Sequence, residues 1–294
     1  MKIPSVAVLL AAYNGERWIE EQIKSILIQK NINVYIFISV DLSNDNTFQL
    51  CSKIKKKNSN IELLKYGHRF GSPGKNFYHL IKEVNINEFD YIALSDQDDI
   101  WMQNKLSCAI EKITSNKLDG YSSDVIAIWN DQRQKLVKKS FPKRKFDYYF
   151  EGGAPGCTYV LPAYSMLNFQ NFLINNWANA SHARHDWLIY AFIRSQDGAW
   201  LIDCKPLMKY RQHDTNIEGF NFGIKAYLKR LSMIKSGWYS KEVKKIYDLV
   251  NEYDSQLFKM DKWFLIRNFI HLRRRKRDSI FLLISLITSI FKIQ

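Results

Sequence analysis

The run Val6–Tyr13, VAVLLAAY, constrains this chain more than any other stretch. It is continuously apolar, as expected for a parallel strand covered on both faces. Tyr, Asn and Glu interrupt the apolar character before any small-residue cleavage site. The N-terminus therefore reads as a first strand and not as a signal peptide. The pattern then repeats. Glu16 to Ile28 places Trp18, Ile19, Ile23, Ile26 and Leu27 on one helical face. VYIFISVD (Val34–Asp41) is a second strand, and SNDNT supplies turn and cap chemistry before a helix from about Phe48 to Lys57. IELLKY (Ile61–Tyr66) is a third strand. GHRFGSPGKNF reads as a loop leading to a helix near Phe77–Val84. YIALS (Tyr91–Ser95) is a fourth strand, and DVIAIWN (Asp124–Asn130) a fifth. Strands alternating with helices predict an α/β fold built of βαβ units around a mostly parallel sheet.

In such sheets ligands bind beyond the carboxyl ends of the strands. Tyr13-Asn14, Asp41 and Asp96–Asp99 all fall at predicted carboxyl ends. Asp96 and Asp98, at i and i+2 on a chain leaving a strand, can serve different partners. One can accept hydrogen bonds from a ribose or base, and the other can bind a hard divalent cation through oxygen. Such a cation neutralises charge on nucleotide phosphates. Taken alone the pair is an ordinary acidic turn or helix cap, with a helix expected from about Met102. Asp99 is either a supporting group or that helix's cap. Asn14-Gly15 alone is ordinary turn chemistry.

Taken together, VAVLLAAYNGERWIEEQIKSIL, ISVDLSNDNT and ALSDQDDIW, in this order, resemble the family 2 glycosyltransferases of GT-A fold. GCTYVL, HDWLIYAF and YRQHDTN resemble their bacterial rhamnosyltransferase branch. The resemblance spans about residues 3 to 217. It implies a nucleotide-diphosphate-sugar donor, a divalent metal (Mn²⁺ or Mg²⁺) and inversion at the sugar carbon. Position by position, it implies that Ala12, Tyr13 and Asn14 line the base pocket with Asp41 and that Asp96 meets the ribose. Asp98 would ligate the metal, with His213 as a further candidate for metal or diphosphate. Arg211 would sit near the phosphates. Asp186 would be the general base, preceded by His185 where the family usually has a second acidic residue. After the second strand Val40-Asp41-Leu42-Ser43 stands where the family often has Asp-Asp-Gly-Ser, which leaves UDP and dTDP donors both open. The Q-x-x-R-W motif of processive synthases is absent, which favours addition of one or a few sugars. The donor expected is dTDP-rhamnose, with UDP-glucose, UDP-galactose or UDP-GlcNAc as alternatives.

Three further positions are candidates for acceptor or sugar contact. Gly153, in EGGAPG, could let backbone approach a ligand closely. Trp101 and Trp187 could stack on a sugar, although packing is the commoner fate of a tryptophan. GSPGKNF lacks the spacing of a phosphate-binding loop.

The charge is uneven. The whole chain carries +14, but after position 219 there are 16 Lys/Arg against 6 Asp/Glu, a net of +10. The last quarter, 220–294, is therefore set apart from a 1–219 transferase domain as a basic helical region. Arg273–Arg277 are five consecutive cations, followed by the uncharged run Ser279–Phe291. That run is shorter than the roughly 20 apolar residues of a span. It suits a helix in the membrane interface with cations on anionic headgroups. Phe222–Tyr239 has the same character. The expected setting is the cytoplasmic inner face of a bacterial membrane, where a lipid-linked oligosaccharide would be the acceptor. The basicity could instead mark a nucleic-acid binder, but no nucleic-acid motif appears and long aliphatic runs interleave the cations. Paired carboxylates could mark a glycoside hydrolase, which would need no nucleotide sugar. The four cysteines form no C-x-x-C pair, consistent with a reducing compartment.

Overall fold

The computed structural model describes residues 2–213, 232–255, 258–288, 290 and 291. The described strands form two sheets. The larger is ordered β10 (Trp200–Asp203), β6 (Gly120–Ser123), β9 (Val160–Pro162), β4 (Tyr91–Asp96), β1 (Ser5–Ala12), β2 (Asn33–Val40) and β3 (Ile61–Leu63). β1, β2, β3 and β4 pair in parallel, as do β6 and β10; only β9 runs against its neighbours. Val6 to Ala12 are buried without a break, as a strand covered on both faces requires. The covering elements include α1 (Ile19–Leu27), α2 (Thr47–Lys55), α3 (Pro73–Glu83) and α4 (Lys105–Asn116). α3 starts four residues before the expected Phe77. Ser72 caps it by accepting from the Lys75 N–H, and Pro73 takes the first helical position, where a missing N–H costs nothing.

The smaller sheet is ordered β5 (Ile100–Trp101), β11 (Met208–Gln212), β7 (Val125–Trp129) and β8 (Gln134–Val137). The predicted fifth strand lands here, as β7, and not in the main sheet. Asp124 makes the break: its carboxylate accepts the backbone N–H groups of Lys139 and Ser140 at 2.6 and 2.8 Å. β6 ends one residue earlier and stays in the main sheet.

The expected boundary between 219 and 220, and most of Phe222–Tyr239, lie outside the described residues. The described C-terminal helices share a hydrophobic core with the sheet. One cluster runs from Leu9 and Ile92 through Leu188 and Tyr190 to Leu282 and Leu286. Among the described residues no helix is long and apolar enough to cross a membrane.

The five-cation run divides, which corrects its expected use. Arg274 is buried and donates to the Gly152 carbonyl at 2.6 Å, with its guanidinium 3.3 Å from Glu151 and 3.5 Å from Asp147. Arg273 donates to the Phe150 carbonyl at 2.9 Å and pairs with Glu151 at 3.6 Å. Only Lys276 and Arg277 of the run are exposed. Removing one partner of a buried ion pair strands the others, at about 3–5 kcal/mol. Arg274→Ala is therefore expected to lower the stability to urea by that amount. Arg274→Lys should recover little of it, because an ammonium cannot reproduce the planar fork. A variant as stable as the parent would contradict this account of the clasp.

Candidate active site

Strand register assembles the first half of the site. Ala11 pairs with Asp96 and Ala12 with Val40, so the chain leaves β1, β2 and β4 side by side. Ala12 is buried and Tyr13 exposed. Asn14 adopts a left-handed backbone (φ 47°) and its side-chain oxygen accepts the Asn44 N–H at 2.9 Å. Gly15 is needed for close approach: a Cβ there would lie 2.6 Å from Gln97 Cγ. The turn after β1 thus packs on the residue between Asp96 and Asp98. Asp41 is buried and accepts the N–H groups of Leu42, Phe70 and Gly71 at 2.8 to 2.9 Å. It ties the 68–71 loop to the end of β2.

The smaller sheet supplies the second half. β11 pairs with β5, Met208 facing Trp101, and so carries Arg211 and His213 to the acidic loop. His213 Nε2 lies 2.8 Å from Asp98 Oδ2, and its ring stacks on Trp18 with centroids 4.0 Å apart. Arg211 Nε donates to the Asp98 carbonyl at 3.0 Å, and another of its nitrogens donates to Glu21 at 2.6 Å. Arg211 therefore braces the backbone of the acidic loop.

The third part is the helix His185–Ser195, which places Asp186 in its first turn. Burial pushes the Asp186 pKa up. Arg184, 3.6 Å away, His185 and the Trp187 N–H bond at 2.9 Å outweigh it, and the carboxyl ends below its ordinary value. Neighbouring charge is the larger lowering cause, ahead of the backbone N–H at the helix start. Residues 156 and 157 link this part to the others. A Cβ at Gly156 would lie 3.2 Å from Asp186 Cβ, while Cys157 Sγ lies within 4.8 Å of oxygens of Asp96 and Asp99. The acidic loop and Asp186 thus flank two consecutive residues of one loop.

Asp98 and His213 suit a divalent metal. An oxygen and a nitrogen 2.8 Å apart are nearly at the ~3 Å separation of adjacent ligands on an ion with ~2.1 Å bonds. Asp96, Asp99 and Cys157 suit one poorly. Burial, with Asp99 beside it, pushes the Cys157 thiol up, and a protonated thiol is a poor ligand for a hard ion. Asp99 is not the helix cap, since α4 starts at Lys105 after Asn104. It is buried, and burial with the nearby Asp98 and Asp96 charges raises its pKa. Lys105, fully buried beside it with its ammonium 3.6 Å from the Trp101 ring centroid, is pushed down to about 7 by the same burial.

Three candidates are corrected. Trp101 is buried beneath Lys105 and serves packing. Trp187 is buried and its Nε1 donates to the Tyr148 carbonyl at 2.8 Å, so it offers no sugar platform. Gly153 is hemmed in by Tyr190, Tyr159 and Trp200, with a Cβ there 2.9 to 3.1 Å from each. Its small size answers to aromatic packing and not to a ligand. Trp18, Lys105 and Cys157 were not legible as site residues, because each reads locally as core or helix.

Comparison with known proteins shows the family. Residues 7–172 match the family model described as Glycosyl transferase family 2. The chain is 44% identical over 290 residues to the dTDP-rhamnosyl transferase RfbG of Shigella flexneri, covering 96% of this chain and 100% of the relative. It is 25% identical over 250 residues to an Escherichia coli protein, WfgD, covering 84% of this chain and 91% of the relative. WfgD is described as a UDP-Glc:alpha-D-GlcNAc-diphosphoundecaprenol beta-1,3-glucosyltransferase. Among solved structures, S. aureus TarS 1-349 with UDP-GlcNAc superposes with TM-score 0.56 at 14% identity, covering 97% and 80% of the two chains. The mannosyltransferase PcManGT of Pyrobaculum calidifontis, with GDP-Man and Mn2+, gives TM-score 0.54 at 12% identity and 99% and 82% coverage.

Proposed function

The chain belongs to glycosyl transferase family 2 and is a nucleotide-sugar glycosyltransferase of GT-A fold, and from that premise we propose that it transfers rhamnose from dTDP-rhamnose, with inversion, to a lipid-linked glycan. The observation that carries the site is the loop at Gly156-Cys157, with Asp186 on one side and Asp96–Asp99 on the other. The likeness to RfbG supports the donor, and the diphosphoundecaprenol acceptor in WfgD's description supports a lipid-linked acceptor. The place of work is the cytoplasmic face of a bacterial membrane.

Ala12, Tyr13 and Asn14 line the base end, and Asp96 meets the ribose. Asp41 takes its part chiefly by holding the 68–71 loop in place, with three backbone N–H groups already on its carboxylate. Asp98 and His213 would hold a divalent ion, which when bound would neutralise charge on the leaving diphosphate. Arg211 keeps the acidic loop in register and brings positive charge to its rim. An acceptor hydroxyl has a pKa far above 7, so its proton must leave as attack proceeds. Asp186 takes it. Oδ1 is held by the Trp187 N–H, and Oδ2, paired with Arg184 at 3.6 Å, is the oxygen that meets the acceptor beside that guanidinium. A depressed pKa keeps this group ionised at neutral pH and makes it a modest base, so its contribution rests on placement.

A donor panel tests the reading. With Mn²⁺ or Mg²⁺ and a lipid-linked acceptor, nucleotide release should be at least about tenfold faster from dTDP-rhamnose than from UDP-glucose, UDP-galactose or UDP-GlcNAc. Preference for UDP-glucose would favour the second reading, for which the likeness to WfgD is the specific support.

A further inference from the structure

The helix Lys276–Ile287 is apolar on its outward face as well as its inward one. Its inward face presents Ser279, Leu282, Ser285 and Leu286 to the core. The two serines satisfy their hydroxyls on the chain itself, Ser285 on the Phe281 carbonyl at 2.9 Å and Ser279 on the Arg273 carbonyl at 3.1 Å. Its outward face carries Ile280, Ile284 and Ile287, at i, i+4 and i+7, exposed by 53%, 53% and 61%. A solvated surface helix shows the reverse, isoleucine inward and serine outward. The helices Lys262–Arg267 and Phe269–Leu272, which touch this one, add Trp263, 71% exposed, and Ile270, 50% exposed.

We propose that this isoleucine face, with Trp263 and Ile270, is the surface by which the enzyme docks on an anionic membrane leaflet. Charge selects the partner. Lys262, Arg267, Lys276 and Arg277 are exposed on these helices, and Asp278 is paired with Arg273 and Arg277. Asp261, the exposed carboxylate here, caps a helix by accepting the Phe264 N–H. A second copy of the chain would bring like charges together on this face, whereas anionic headgroups neutralise them. At 12 residues the helix is too short to span and fits the plane of the interface. A tryptophan there suits the headgroup level.

The surface is also coupled to the site. The helix follows directly on Arg273 and Arg274, which clasp residues 150–152, and Gly152 packs on the Trp187 backbone beside Asp186. Docking would thus set the base-bearing side of the cleft relative to the membrane. This use of the surface rests on the lipid-linked acceptor reading; the docking itself does not.

Sedimentation of the full chain with vesicles tests the proposal. The parent should pellet with phosphatidylglycerol/phosphatidylethanolamine vesicles and stay in solution with pure phosphatidylcholine. The Ile280→Ser/Ile284→Ser/Ile287→Ser variant should lose about tenfold or more of that partitioning. Its melting temperature and its turnover with a water-soluble acceptor analogue should be unchanged. Lys276→Gln/Arg277→Gln should lose the preference for anionic lipid and its salt sensitivity. Parent protein that ignores anionic vesicles would overturn the proposal, as would a triple variant that pellets like the parent. Conversion of a parent dimer to monomer by the triple variant, without vesicle binding, would assign the face to a second copy instead. Vesicle binding without turnover of any donor would count against the transfer reading and leave docking standing.

Discussion

Asp186→Asn should leave donor binding intact and lower turnover by roughly 10²- to 10⁴-fold, the usual range for losing a positioned general base. The substitution is nearly isosteric. The Trp187 N–H can still find a side-chain oxygen at 2.9 Å, so the helix start need not move. What disappears is the charge that accepts a proton from the acceptor. Arg184 loses its partner at 3.6 Å, but it is partly exposed and water can take over. Calorimetry with dTDP-rhamnose and a thermal melt should match the parent, while nucleotide release with acceptor should collapse. Parental turnover in this variant would remove Asp186 as base. Equal loss of donor affinity and turnover would point to distortion of the Gly156-Cys157 loop instead.

Asp98→Ala should abolish metal-dependent donor binding, raising the donor Kd by roughly two orders of magnitude as one hard-oxygen ligand and its share of the diphosphate's neutralisation go. The Arg211 bond to the Asp98 carbonyl is a backbone contact and survives, so the acidic loop stays in register. Metal binding can be followed without turnover, by the paramagnetic signal of Mn²⁺ titrated into the protein. Parent and variant should differ there as strongly as in donor affinity. His213→Gln should give an intermediate loss, since it removes one ligand and its stack on Trp18. Unchanged Mn²⁺ affinity in Asp98→Ala would place the ion elsewhere, with Asp96, Asp99 and Cys157 the nearest alternative donors.

Much of the candidate site was legible because it sits at strand ends. A parallel strand shows as an apolar run, and the residue after it is forced to the carboxyl edge where ligands gather. Tyr13-Asn14, Asp41 and Asp96–Asp98 follow from that alone. Missed cues were of a different kind. Ser72-Pro73 was a readable helix start, since a serine cap and a proline at the first helical position are both local chemistry. Trp101, Trp187 and Gly153 were read as ligand contacts because an aromatic ring or glycine near a site carries no local mark of burial. Packing of elements distant in sequence decided each.

By itself, the sequence determined the α/β alternation, the order of the strand-end carboxylates and the helix that opens at His185. Period and run length are local properties, written in neighbouring residues. Tertiary structure alone decided four things. It sent β7 out of the main sheet and brought His213 to Asp98 across 115 positions. It divided a uniform run of five cations into two struts, Arg273 half-buried and Arg274 buried, and two exposed charges, with Arg275 between, its guanidinium on the Lys138 carbonyl. It also turned the isoleucines of the last helix outward. The reason is common to all four: side chains of one chemical type meet different partners once the chain folds back on itself, and only those partners decide whether a charge is a strut or a surface.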